Sequence, residues 1–170
     1  MSKELENAKQ KLRLQLNGGS LGVGKAAWEE ALNAAVPDPV VHIRHAPIEG
    51  TPEYRTHVAA IPSQVGCHFH AHGDEGYAVV SGKGTLHWGK AVKDLKGYHV
   101  EWETPVDVSK GDSFVIPEGY AHQLRKRGDG DLVIIFGCPD SHLNDTEDRT
   151  LLADAPVTTK KRIAKKGLTL

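Results

Sequence analysis

The sequence predicts an all-β core, a sandwich or barrel of short strands, with two helices ahead of it and an extended tail behind. Three observations predict this. Eighteen glycines and nine prolines fall mostly between short apolar runs in a chain of 170 residues, which is the punctuation of many tight turns. From residue 40 to residue 136 about eight or nine such runs follow one another, separated by Gly, Pro and Asp, as in all-β sandwiches and barrels. Within them His68, His70 and His72 alternate and are followed by Gly73-Asp74 and then Glu75. Residues two apart on a strand share a face, so this stretch reads as a strand that carries imidazoles to one point before a turn.

Composition bounds the rest. The chain is 39% hydrophobic and 25% charged, ordinary for a soluble globular protein, and long enough to bury a core without disulfides as one domain. A net charge of −1 gives no electrostatic reason to expect nucleic acid or an anionic membrane. No segment approaches the roughly 20 apolar residues of a membrane span, and the first residues lack the apolar core of a secretory signal. Cys67 and Cys138 are too few for a disulfide framework and make no C-x-x-C pair. Two reduced thiols and a cytoplasmic location are therefore expected.

Residues 1–39 form the helical segment. Leu5, Ala8, Leu12 and Leu16 recur at three- and four-residue spacing, predicting an amphipathic helix over residues 2–16 that packs on the domain or on a second subunit. Gly19-Ser20-Leu21-Gly22-Val23-Gly24-Lys25 matches G-x-x-x-x-G-K, but Ala26 replaces the magnesium-binding hydroxyl and a helix rather than a strand precedes it. The stretch reads as a turn before a second helix over residues 25–35, stopped by Pro37-Asp38-Pro39. Residues 40–139 form the β domain, with strands expected over 40–45, 54–61, the histidine segment, 76–80, 84–88, 98–108, 113–116, 121–126 and 131–136. Residues 140–170 form a polar tail, acid-rich and then basic at Lys160-Lys161-Arg162 and Lys165-Lys166. It reads as a solvated terminus or as packing across a dimer.

Imidazole nitrogen and carboxylate oxygen suit divalent zinc, iron, nickel, copper or manganese, so His68, His70 and Glu75 are candidate ligands, with His72 a rival to Glu75. A further histidine appears in Gly111-Asp112-Ser113-Phe114-Val115-Ile116-Pro117-Glu118-Gly119-Tyr120-Ala121-His122. There a turn with proline and glycine fixes the backbone just ahead of His122.

With both stretches in view the chain resembles the cupin superfamily. His68-Phe69-His70, four residues, Glu75, six residues and Gly82 fit its first motif, and Gly111, Pro117, Gly119 and His122 fit its second. Two positions depart: Pro62 stands where the first motif has a glycine, and Lys126 replaces the closing asparagine of the second. The resemblance covers residues 54–136 and implies a jelly-roll β-barrel with His68, His70, Glu75 and His122 holding a divalent metal inside it. The interval 83–110 is longer than a hairpin needs, so an extra loop is expected at the barrel edge. Cupins are commonly dimers, and a homodimer is expected.

Around the ligands, Tyr77 shares the parity of Glu75 and reads as packing or as a substrate contact. Glu75, His72 and Tyr77 are the candidate groups for moving a proton or contacting substrate. Lys126 either holds an anion in the cavity or reaches solvent; His57 either lines the pocket or is structural. Trp88, Trp102 and Phe114 read as packing, and Cys67 as a small buried hydrophobe. The expected function is a metal-dependent enzyme of dioxygenase type on a small polar metabolite. The alternatives are a sugar-phosphate isomerase or epimerase and a non-catalytic binding or sensing protein.

Overall fold

The computed structural model describes residues 1–157 and 163. The basic run singled out in the tail lies outside the described residues.

Alternation along the strands builds two facing sheets. In β3 (Tyr54–Ile61), Ala59 and Ile61 turn toward the space between the sheets, while Val58 turns outward. The first sheet orders its strands β1 (Val36–Asp38), β2 (Ile43–Thr51), β3, β11 (Leu132–Cys138), β5 (Glu75–Ser81) and β9 (Ser113–Ile116). The second runs β12 (Thr150–Leu151), β4 (His68–Phe69), β10 (Tyr120–Arg127), β6 (Lys83–Asp94) and β7 (Gly97–Trp102), with β8 (Val106–Ser109) also on β6. Neighbouring strands pair antiparallel, and chain-distant strands lie side by side, the topology of a jelly roll. Leu86, Trp88, Phe114, Ile116 and Ile134 fill the space between the sheets.

Helix α1 (Lys3–Leu12) is capped by the Ser2 hydroxyl, which accepts from the Leu5 N–H. It ends four residues before the leucine pattern does. Arg13 takes a left-handed conformation (φ 48°), after which Gln15 exchanges backbone hydrogen bonds with Ser113 of β9. Ala8, Leu12 and Leu14 join the core between the sheets while Leu16 stays exposed. The apolar face of α1 is thus taken up by its own domain. Helix α2 (Lys25–Asn33) lays Trp28, Ala31 and Leu32 on the outer face of the first sheet, over Val58, Val133 and Ile135.

Three differences from the expected elements have physical reasons. Residues 36–38 form an edge strand although Pro37 lies in it, because an edge strand does not need every N–H. The polar stretch 89–97 is not a loop: β6 continues to Asp94 and pairs with β7 in a long hairpin, half-solvated on both faces and so without an apolar alternation to reveal it. Residues 139–157 are no solvated tail. They turn through a 3-10 helix (Asp140–Leu143), add β12 to β4, and bond onward through Leu152 N–H to Cys67 O and Ala155 N–H to Gln123.

Candidate metal centre

Three strands and one turn bring the site together. His68 is in β4 and is the direct cross-strand partner of His122 in β10, in the second sheet. Glu75 opens β5 in the first sheet, so the group spans the interior between the layers. The turn that returns the chain to Glu75 is locked to the turn after β9. Asp74 accepts from the Glu118 N–H (3.0 Å), the Glu118 carboxylate accepts from the Gly73 N–H (3.0 Å), and Gly119 N–H donates to His70 O (2.7 Å). Gly73 (φ 84°) and Gly119 (φ 77°) supply the left-handed backbone. The two histidine-bearing stretches therefore hold each other in place.

One donor atom from each of His68, His70, Glu75 and His122 lies within 4.8 Å of the others, and all four side chains are buried. The second ring nitrogens are already committed. Nδ1 of His68 donates to Gly66 O (2.7 Å), that of His70 to Asp148 O (2.5 Å) and that of His122 to Tyr120 O (3.2 Å). A carbonyl oxygen only accepts, so each Nδ1 carries the hydrogen and each Nε2 presents a lone pair inward. This is the arrangement that backbone carbonyls impose on ligating histidines.

The residues fit a divalent ion. Nε2 of His70 and Oε2 of Glu75 face each other at 3.0 Å, and Nε2 of His122 lies 3.3 Å from the same oxygen. Yet His70 Nε2 and Glu75 Oε2 are buried with no hydrogen-bond partner of acceptable geometry, a costly state unless something between them satisfies both. Burial opposes the Glu75 carboxylate, but His70 and His122 outweigh it and hold its pKa well below the usual range. Burial likewise opposes a charge on His70, and Glu75 outweighs it and raises that pKa. Burial, with His122 and His70 beside it, keeps His68 neutral. A metal ion at this point would take His70 in its neutral form, with Nε2 as the ligand atom.

Beside the four side chains is a cavity of about 30 Å³, room for about two waters or a small ligand. Val65, Leu124 and Phe136 form apolar walls, and His142, Leu143 and Arg149 close it from the C-terminal segment. The register of β12 on β4 pairs Thr150 with Phe69 and Leu151 with His68; one step further sets Arg149 opposite His70. Arg149 fastens that segment down, donating to Asp38 of β1 (2.9 Å) and to Asp145 (2.6 Å).

The structure separates His72 from the other histidines. The turn leaves its side chain exposed, outside both ligand groups found among the described residues, while its backbone N–H donates to Asp148 and its carbonyl accepts from His142. Tyr77 points inward as expected, stacked on Phe114 with its hydroxyl 3.1 Å from His122 Nε2. Burial, then Glu75, raises its pKa well above the usual phenol value. His57 stacks on Phe136 (centroids 4.9 Å) and is not a lining residue; Lys126 is half-buried at the barrel end, also away from the cavity. Trp88 and Phe114 are core, whereas Cys67 and Trp102 pack on the outer face of the second sheet. Both cysteines are free thiols.

Four participants escaped the sequence reading: Cys138, His142, Asp148 and Arg149. Cys138 and His142 carried a signal in their spacing, with three residues between them as in many ligand pairs. Asp148 and Arg149 carried none, sitting in a polar stretch with no periodicity.

Comparison with known proteins agrees with this architecture. The profile of the cupin domain family matches residues 57–138, and the chain contains a cupin domain. No curated protein sequence matches. Among solved structures, CapF, determined with the inhibitor 3-isopropenyl-tropolone, is 24% identical with a TM-score of 0.52, over 69% of this chain and 33% of its own. Oxalate decarboxylase from Lactobacillus farciminis, a formate complex, is 15% identical with a TM-score of 0.49, over 71% and 34%. Vicilin from hazelnut, Corylus avellana, is 17% identical with a TM-score of 0.46, over 59% and 30%. The chain spans about a third of the length of each, and the likeness is one of fold. No described helix is long and apolar enough to cross a membrane.

Proposed function

We propose that the protein is a metal-dependent enzyme acting on a small polar metabolite with dioxygenase-type chemistry. The observation that carries this reading is the convergence of three inward Nε2 atoms and one carboxylate beside a mostly apolar cavity. A divalent iron, nickel, copper, manganese or zinc ion held by His68, His70, Glu75 and His122 would polarise a bound oxygen-containing group, and a redox-active one would support oxygen chemistry.

The chain's own residues supply the rest. The Gly66, Asp148 and Tyr120 carbonyls fix the three rings, so the ligands need little reorganisation. Val65, Leu124 and Phe136 keep bulk water from the reacting face. Tyr77, protonated and beside His122, is a hydrogen-bond donor for a ligand oxygen. Glu75 is the carboxylate nearest the ligand space. His72 takes no part in this scheme.

A cavity of about 30 Å³ accommodates a ligand of a few heavy atoms, so small diketones and enediols are the first substrates to offer. Oxygen uptake by protein loaded in turn with iron, nickel, copper and manganese, offered small 1,2-diketones and enediols, tests the reading. Uptake by one loaded form supports it. Aldose-phosphate isomerisation without uptake would favour an isomerase, and ligand-dependent stabilisation without turnover a binding protein.

A further inference from the structure

We propose that Glu75, Cys138 and His142 form a second metal site beside the first, suited to a borderline ion such as zinc or cobalt, with the Glu75 carboxylate shared between the two. The β5–β11 register makes the first pair. Gly137 is opposite Gly76, so the next step sets Cys138 opposite Glu75, and residues directly opposite on paired strands present their side chains to the same face. Pro139 and the 3-10 helix then bring His142 back over the same point. One donor atom from each of the three lies within 4.8 Å of the others, at 4%, 0% and 1% exposure.

An independent observation concerns His142 itself. Its Nε2 donates to His72 O at 2.7 Å, so Nδ1 keeps its lone pair, and that atom is buried without a partner. Stacking on His70 at 3.9 Å and 3° holds the ring still. Thiolate, imidazole and carboxylate together are a ligand set that zinc accepts readily and that hard cations do not favour. Glu75 and His142 both line the cavity, which gives an ion a way in. On binding, the Cys138 thiol releases its proton to solvent and forms the metal–sulfur bond.

Anaerobic titration of the full-length protein with cobalt(II), followed by absorption, tests this. The first equivalent should give d–d bands alone. A second should add a near-ultraviolet thiolate-to-cobalt charge-transfer band. Cys138→Ser should keep the first equivalent and lose both the band and the second, and His142→Gln should weaken the second ion at least 10-fold while leaving the first in place. Should Cys138→Ser not fold, His142→Gln carries the comparison. A single equivalent without the charge-transfer band overturns the second site and leaves the first centre standing. A band arriving with the first equivalent also overturns it, since the thiolate would then belong to that ion. No cobalt at either position overturns both.

Discussion

His68 and His122 are direct partners across the β4–β10 pair, their ring centroids 4.4 Å apart. More than fifty residues of sequence separate them, yet the strand register leaves their imidazoles no choice but to share a face. Glu75 approaches from the opposite sheet, so the ligands come from both layers of the barrel and the ion would tie them together.

Removing either partner should therefore remove the ion. His68→Ala and His122→Ala are each expected to lower affinity for the first equivalent of metal more than 100-fold in a competitive chelator titration, since each deletes a ligand and second-sphere changes alone cost 10–100-fold. His72→Ala should leave that affinity within about twofold, because its side chain is exposed and only its backbone is used.

Asp148 tests the support behind the ligands. Its carbonyl accepts from His70 Nδ1, and its carboxylate accepts from the Ala71 N–H at 2.7 Å and the His72 N–H at 2.9 Å. Asp148→Ala gives both exposed N–H groups over to water, at a cost of about 1 kcal/mol in denaturant unfolding, and should loosen His70 enough to weaken metal binding 10–100-fold.

Gly82, a glycine of the first motif, has φ 79°, and a Cβ there would meet Asp131 O at 2.7 Å. Gly82→Ala should destabilise the protein by about 2 kcal/mol or more, read as a lower urea midpoint with the unfolding slope unchanged.

Much of this was legible in the sequence, because turns and ligands are local signals. The spacing from His68 to Gly82 and from Gly111 to His122 marked the two stretches that meet, and Pro62 marked the end of the run 54–61 that forms β3. The parts that could not be read depend on tertiary context. Arg13 stops α1 in mid-pattern because Gln15 pairs with β9. Asp148 and Arg149 matter only because β12 lies on β4, and two residues of pairing leave no period to detect.

Acid should weaken the fold in a defined window. Burial, with His45 adding to it, pulls the pKa of His57 down to about 4, and burial with Arg125 does the same to His87. Both are bases held neutral, so the unfolded chain takes up their protons first. Stability is complete above the unfolded value of about 6.5 and falls as pH drops from there to about 4, by at most about 3 kcal/mol per histidine. His57→Gln should flatten that slope in urea unfolding followed against pH.

The X-ray absorption spectrum of the protein loaded with one equivalent of zinc tests the central claim most directly. Three imidazoles and a carboxylate predict a nitrogen and oxygen shell at about 2.0–2.2 Å, with outer-shell scattering from three rings. An oxygen-only shell, sulfur at about 2.3 Å in that first equivalent, or zinc that washes away would contradict the account.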